Sequence, residues 1–166
     1  LTSGETTGIF QLESAGMRRF IKELRPNCLA ALIAMIALYR PGPMAHFPTF
    51  IEAKHGRAPI TYLHPALEPI LKETHGVIVY QDQVLLIVQA IAGYSLGQAD
   101  IFRKARGKKI AEKMREQREE FIGRASQRGI SSEDATRIFD LIEPFAGYAF
   151  NKAHSASYSV VSYQTA

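Results

Sequence analysis

With 166 residues and 46% hydrophobic content, the chain can build one ordinary buried core and not two, so one domain or part of one is expected. Its net charge of +4 is modest, and no apolar run reaches the roughly 18 residues of a membrane span, which excludes a helical membrane protein. The lone cysteine, Cys28, excludes an internal disulfide and fits a reducing cytoplasm.

Taken along the chain, Ser14 to Leu24 reads as a helix stopped ahead of Pro26, because the residue before a proline is pushed out of the helical region. The apolar run from Cys28 to Tyr39 reads as a buried helix with Cys28 as a small core residue, and it ends at Arg40-Pro41-Gly42-Pro43. His64-Pro65-Ala66-Leu67 opens another helix that runs to about Glu73 and exits at His75-Gly76. Val77-Ile78-Val79-Tyr80, four β-branched or aromatic residues after a glycine, is the one credible strand. Helical character resumes from Gln81 to Ala92.

Lys109 to Arg128 places Ile110, Met114, Phe121, Ile122 and Ala125 on one face of a 3.6-residue period. Ser131-Ser132-Glu133-Asp134 is a strong helix start, Ala135, Ile138, Leu141, Ile142 and Phe145 supply a buried stripe, and Gly147 ends the helix. A mixed polar and aromatic loop, Tyr148 to His154, precedes a last helix beginning near Ser155. The class is mainly α, with at most one or two short strands. Leu1 in place of a methionine, and a final stretch without a helix stop, read as a piece cut from a longer chain.

Charge is unevenly spread. Residues 1–60 carry seven Lys/Arg and four Asp/Glu, 61–100 one and four, 101–130 ten and four, and 131–166 two and four. Arg103, Lys104, Arg106, Lys108 and Lys109 lie together with no acid between them, as a phosphate-binding surface requires, because each neutralised phosphate releases counterions. From 112 to 128, Glu112, Glu116, Glu119 and Glu120 are interleaved with Lys113, Arg115 and Arg118, and a solvated face of i,i+4 pairs is the favoured reading.

Most templates for chemistry fail. His46, His55, His64, His75 and His154 lack zinc-ligand spacing and read as surface or capping residues; no Walker loop, GxGxxG or GxSxG is present. Asp82, Asp100, Asp134 and Asp140 stand singly, so the carboxylate pair of two-metal catalysis is missing from the chain.

Seven blocks in order nonetheless carry a resemblance over nearly the whole chain: Gly8-Ile9-Phe10-Gln11-Leu12-Glu13-Ser14-x-Gly16-Met17, Ala37-Leu38-Tyr39-Arg40-Pro41-Gly42-Pro43, Lys54-His55-Gly56-Arg57, Gly76-Val77-Ile78-Val79-Tyr80-Gln81-x-Gln83-Val84, Gly93-Tyr94-Ser95-Leu96-Gly97-x-Ala99-Asp100, Arg103-Lys104-Ala105-x-Gly107-Lys108-Lys109 and Phe145-Ala146-Gly147-Tyr148-x-Phe150-Asn151-Lys152-x-His154-Ser155. The chain resembles the alpha subunit of the bacterial C-family DNA polymerases, and within it the fingers region. The resemblance implies one fingers-region unit over 1–166, truncated at both ends. It also implies a palm upstream whose three aspartates hold two Mg²⁺ ions for nucleotidyl transfer, with no metal bound by this segment.

The resemblance further implies primer-template DNA and deoxynucleoside triphosphates as partners, with a sliding clamp and other replicase subunits in the whole protein, in the cytoplasm and off the membrane. By the same likeness Arg103 and Lys104 contact the triphosphate. Lys104 stands where many members have arginine and keeps the charge without the bidentate fork, and Arg106 stands where an apolar residue is frequent. Arg106, Lys108 and Lys109 would reach DNA phosphates. Tyr148 would lie near the base, Asn151 and Lys152 near phosphate or sugar oxygens, and His154 where a ribose 2′-hydroxyl would fall. Arg40 is either a phosphate contact or a cation that suits a helix C-terminus. The alternative function is a non-catalytic helical module that grips nucleic acid through 103–118 without sequence preference; a third is a scaffold for protein partners.

Overall fold

A computed structural model of the chain describes residues 1–40, 43–104, 110–146 and 150–166, and at 103–104, 110–113 and 146 the backbone alone. Two units emerge, one from 1–60, 73–79 and 150–166, the other from 61–72 and 80–149.

In the first unit α1 (Ala15–Leu24) starts where Ser14 Oγ accepts the Met17 N–H, and it buries Met17, Ile21 and Leu24 at helical spacing. Gly16 leaves room for a neighbour: a β-carbon there would push the Tyr39 hydroxyl aside. Glu13, whose role sequence alone leaves open, braces the turn before this helix by accepting the Gly8 N–H at 2.7 Å. α2 (Leu29–Leu38) is buried from Ala31 onward, as its apolar run requires. Cys28 departs from expectation: it is exposed, because it occupies the N-cap position ahead of Leu29, which is itself exposed, and the buried part of the run begins two residues further on.

α3 (Phe47–Lys54) follows a 3₁₀ turn over Pro43–His46 and buries Phe47, Phe50 and Ile51. The last helix of the unit, α9 (Lys152–Gln164), packs on α2. It begins earlier than the expected Ser155, because Asn151 Oδ1 accepts the His154 N–H at 3.1 Å and so provides the cap, worth about 1 kcal/mol against alanine. Ser155 is instead buried, with its hydroxyl donating to the Ile33 carbonyl at 2.6 Å. Ser159 and Ser162 are buried with it and donate to the Ser155 and Phe10 carbonyls. This serine row lets α9 approach α2 closely while every buried hydroxyl stays paired.

Val77 to Val79 are buried as a strand would be, but no strand forms among the described residues. Val79 O accepts the Phe150 N–H at 3.3 Å, and among the described residues no strand lies beside the segment to extend the ladder.

In the second unit α5 (Gln81–Ala92) is central, packing against α4 (Glu68–Leu71), α6 (Leu96–Lys104), α7 (Ile110–Gln127) and α8 (Ser132–Ala146). Its buried Gln83 accepts the Tyr80 N–H at 3.0 Å and donates to the Ile70 carbonyl at 3.2 Å, so one side chain ties two segments to the helix start. The helix stops at Gly93 in the left-handed region, φ 66°, where a β-carbon would be strained. Ser95 and Gln98 then form a reciprocal cap that starts α6: Ser95 N–H donates to Gln98 Oε1 and Gln98 N–H to Ser95 Oγ. Ser131 caps α8 by accepting the Asp134 N–H at 3.0 Å, as its sequence requires.

The core of this unit holds Phe102, Phe121 and Phe139, with Phe139 5.9 Å from Phe102 and 5.6 Å from Phe121. Tyr94 packs edge-on against Phe102 and lies beneath the Arg124 guanidinium, 4.6 Å from its ring centroid. Its buried hydroxyl has no hydrogen-bond partner among the described residues. Burial, reinforced by the charge of Glu120 and opposed by Arg124, pushes the Tyr94 phenol up to about 12.

Because the folded form keeps a proton that the unfolded form loses near the usual 10.0, Tyr94 contributes stability below pH 10 that is lost as pH rises toward about 12. In an alkaline titration followed by tyrosinate absorbance, Tyr94→Phe should delete a late-ionising component, and at neutral pH it should not destabilise, since it removes an unpaired buried hydroxyl. Loss of an early-ionising component would contradict this.

Candidate nucleotide-contacting residues and family

The helical caps decide where the charged side chains project. Arg103 and Lys104 are the last two residues of α6, whose start is fixed by the Ser95–Gln98 cap and whose inner face is anchored by buried Ala99 and Phe102. Arg106, Lys108, Lys109 and Tyr148 lie outside the described residues.

Within the first unit the structure brings Arg40, Asn151, Lys152 and His154 to the start of α9. The Arg40 guanidinium stacks 3.9 Å above the Phe150 ring, a cation–π contact that neither sequence reading of Arg40 contained. Arg40 remains exposed, so stacking fixes its place while leaving its N–H groups open to solvent. Asn151 spends its carbonyl oxygen on the helix cap, which leaves its amide NH₂ as the group able to reach outward. Lys152 Nζ meets Glu73 Oε2 at 2.6 Å, and both side chains are more than a third exposed.

His154 is exposed, with its ring 5.5 Å from Phe150 and 4.0 Å from Tyr158, centroid to centroid. Phe150 is therefore the residue that sequence reasoning missed as an organiser: it meets both Arg40 and His154. It lies just ahead of the Asn151 cap, outside the helix, so no helical periodicity marks it.

Of the charges over 112–128, Arg124 pairs with Glu120 one turn away at 2.8 Å, the i,i+4 form expected, whereas Arg118 pairs with Asp140 of α8 at 2.6 Å while lying 5.5 Å over the Phe139 ring. Arg118 thus links two helices. Among the described residues no group of three His, Cys, Asp or Glu side chains is placed to hold a metal ion, so no metal-dependent step is built from them. Nor, among those residues, is any single helix long and apolar enough to cross a membrane.

Residues 1–129 match the family described as bacterial DNA polymerase III alpha subunit finger domain. The whole chain aligns with "DNA polymerase III subunit alpha" of Thermus aquaticus at 50% identity, of Halalkalibacterium halodurans at 52% and of Pseudomonas aeruginosa at 54%. It spans 14% of the length of the first and 15% of the other two. At such identity over the whole chain, and with the finger-domain family matching residues 1–129, the chain belongs to the bacterial DNA polymerase III alpha subunit finger-domain family.

Proposed function

We propose that this chain is the fingers-region segment of a bacterial replicative DNA polymerase, in which it binds the incoming deoxynucleoside triphosphate and primer-template DNA while a palm elsewhere in the protein performs Mg²⁺-dependent nucleotidyl transfer. The observation that carries the reading is alignment of the entire chain with alpha subunits at 50–54% identity. Such a protein works in the cytoplasm, with a sliding clamp and further replicase subunits as partners.

In this reading Arg103 and Lys104, at the end of α6, supply cations to the triphosphate, where charge builds as the phosphoryl group transfers. Arg106, Lys108 and Lys109 reach DNA phosphates, which fix position without reading sequence. Tyr148 lies near the base, and around the start of α9 Arg40, Asn151 and Lys152 meet phosphate or sugar oxygens. The Lys152–Glu73 pair does not oppose this, because an exposed ion pair contributes about 1 kcal/mol or less and a triphosphate outcompetes it.

His154 crowds the position of a ribose 2′-hydroxyl. With His154→Ala in the full-length protein, ribonucleotide incorporation should rise relative to deoxynucleotide incorporation, and an unchanged ratio removes this role.

The deciding experiment is primer extension by the full-length protein. Template-directed extension that requires Mg²⁺ and the complementary deoxynucleotide is expected. Salt-sensitive DNA binding without extension would transfer the chain to the alternative, a non-catalytic helical module that grips phosphates.

A further inference from the structure

His154 and Tyr158 stand one turn apart along α9, and Phe150 precedes the helix, next to the Asn151 cap. The His154 ring meets both other rings, 5.5 Å from Phe150 and 4.0 Å from Tyr158, centroid to centroid. Behind Tyr158 stands Phe10, edge-on at 5.2 Å with a 71° interplanar angle. Phe10 is itself pinned to the same helix at both ends of its peptide unit: its N–H donates to Thr165 Oγ1 at 3.2 Å, and its carbonyl accepts from Ser162 Oγ at 2.9 Å. The single hydroxyl proton of buried Ser162 is shared with the Tyr158 carbonyl, also 2.9 Å away. Layer by layer, the stack passes from a fixed loop to an exposed imidazole.

What holds that imidazole is therefore ring packing. No hydrogen bond fixes its ring nitrogens among the described residues; the one contact of His154 with Asn151 uses its backbone N–H. An exposed histidine on a helix samples several side-chain rotamers, and a residue that discriminates by occupying space does so only in the fraction of time it occupies that space. Phe150 and Tyr158 both pack against the ring, which leaves the rotamer seen here favoured by aromatic contact geometry.

We propose that Tyr158, backed by Phe10, is a positioning residue for His154: it touches no nucleotide, and it sets sugar selectivity by holding the imidazole in one place. The proposal rests on the reading of His154 as the residue facing the sugar. Tyr158 is suited to the task because it is half-buried, so its ring is anchored by the helix surface beneath it, and because Phe10 restricts it from the far side. Loss of the Tyr158 ring removes one of these two ring contacts while leaving His154, the helix cap and the Arg40–Phe150 contact in place.

The test is the ratio of kcat/KM for a ribonucleoside triphosphate to that for the matched deoxynucleoside triphosphate, measured on the full-length polymerase with His154→Ala, Tyr158→Leu, Tyr158→Phe and the double variant His154→Ala/Tyr158→Leu. Tyr158→Leu should raise the ratio by about tenfold, the scale on which a pocket loses discrimination when one packing contact goes. Tyr158→Phe keeps the ring and should leave the ratio at the wild-type value. On the His154→Ala background Tyr158→Leu should add nothing, because there is no imidazole left to hold.

If His154→Ala raises the ratio and Tyr158→Leu does not, the positioning role is overturned and the sugar-facing role of His154 stands. If His154→Ala itself leaves the ratio unchanged, both fall. A purely structural role for Tyr158 would depress incorporation of both sugars together, leave the ratio untouched, and so overturn the proposal even when activity drops.

Discussion

Arg103→Ala in the full-length protein should lower kcat for nucleotide incorporation by about a hundred- to a thousandfold, the cost of removing one fixed electrostatic group from a transition state that accumulates charge. Affinity for primer-template DNA should change little. The argument starts from the helix that carries the residue. α6 is nine residues long, its start is held by the Ser95–Gln98 cap, and Phe102, next to Arg103, is 2% exposed in the aromatic core.

The backbone under Arg103 is therefore anchored before any ligand arrives, and a cation at the C-terminal end of a helix is favoured by the helix dipole. In the proposed role the Arg103 cation acts on charge that builds in the transition state, so its loss should fall on kcat, with a smaller effect on KM. Arg103→Lys should recover part of the loss, because it restores charge without the bidentate geometry. If Arg103→Ala instead weakens DNA binding in a salt-dependent manner and leaves kcat intact, the helical binding module becomes the better account.

Helix positions were legible wherever local chemistry and burial agree. The Ser14 cap, the Ser131 cap and the apolar run of α2 each announce themselves, and each forms as its sequence requires. The start of α9 was less legible, because Asn151 invites two assignments, ligand contact or cap, and only the fold shows its oxygen accepting from His154. The serine row of α9 reads as a polar surface, yet Ser155, Ser159 and Ser162 are buried, since a serine hydroxyl can bond a carbonyl in its own or a facing helix and then pack like alanine.

Val77–Tyr80 has strand composition because it is buried, and strand propensity is largely a record of half-buried packing. Without a partner strand it stays irregular. Arg40 illustrates the remaining gap: its position at a helix end suggests a dipole role, whereas its stacking partner Phe150 lies more than a hundred residues away in sequence, a separation that no local pattern can bridge.

Phe139→Ala should be the most destabilising single change in the second unit, costing about 3–5 kcal/mol. Phe139 is fully buried and sits at the meeting point of three helices, touching Phe102 of α6 and Phe121 of α7 from its place on α8. Removing the ring forfeits its transfer free energy and opens a cavity that neither neighbouring ring can fill, since each is itself held by its helix. It also takes away the surface on which Arg118 rests, which loosens the Arg118–Asp140 pair between α7 and α8.

Sequence periodicity alone did not nominate Phe139 for the stripe of α8. Its neighbour Ile138 already satisfied the pattern, and only contact with both α6 and α7 buries the adjacent position as well. Because a large multidomain protein does not unfold in one step, the effect should be read locally, by amide hydrogen exchange in the full-length protein. Protection in α7 and α8 should fall by about a hundred- to a few thousandfold, the equivalent of 3–5 kcal/mol for opening of that unit. Phe139→Leu should retain most of the protection, because it fills most of the volume. Equal losses for alanine and leucine would show that edge-to-face ring geometry, not volume, holds these three helices together.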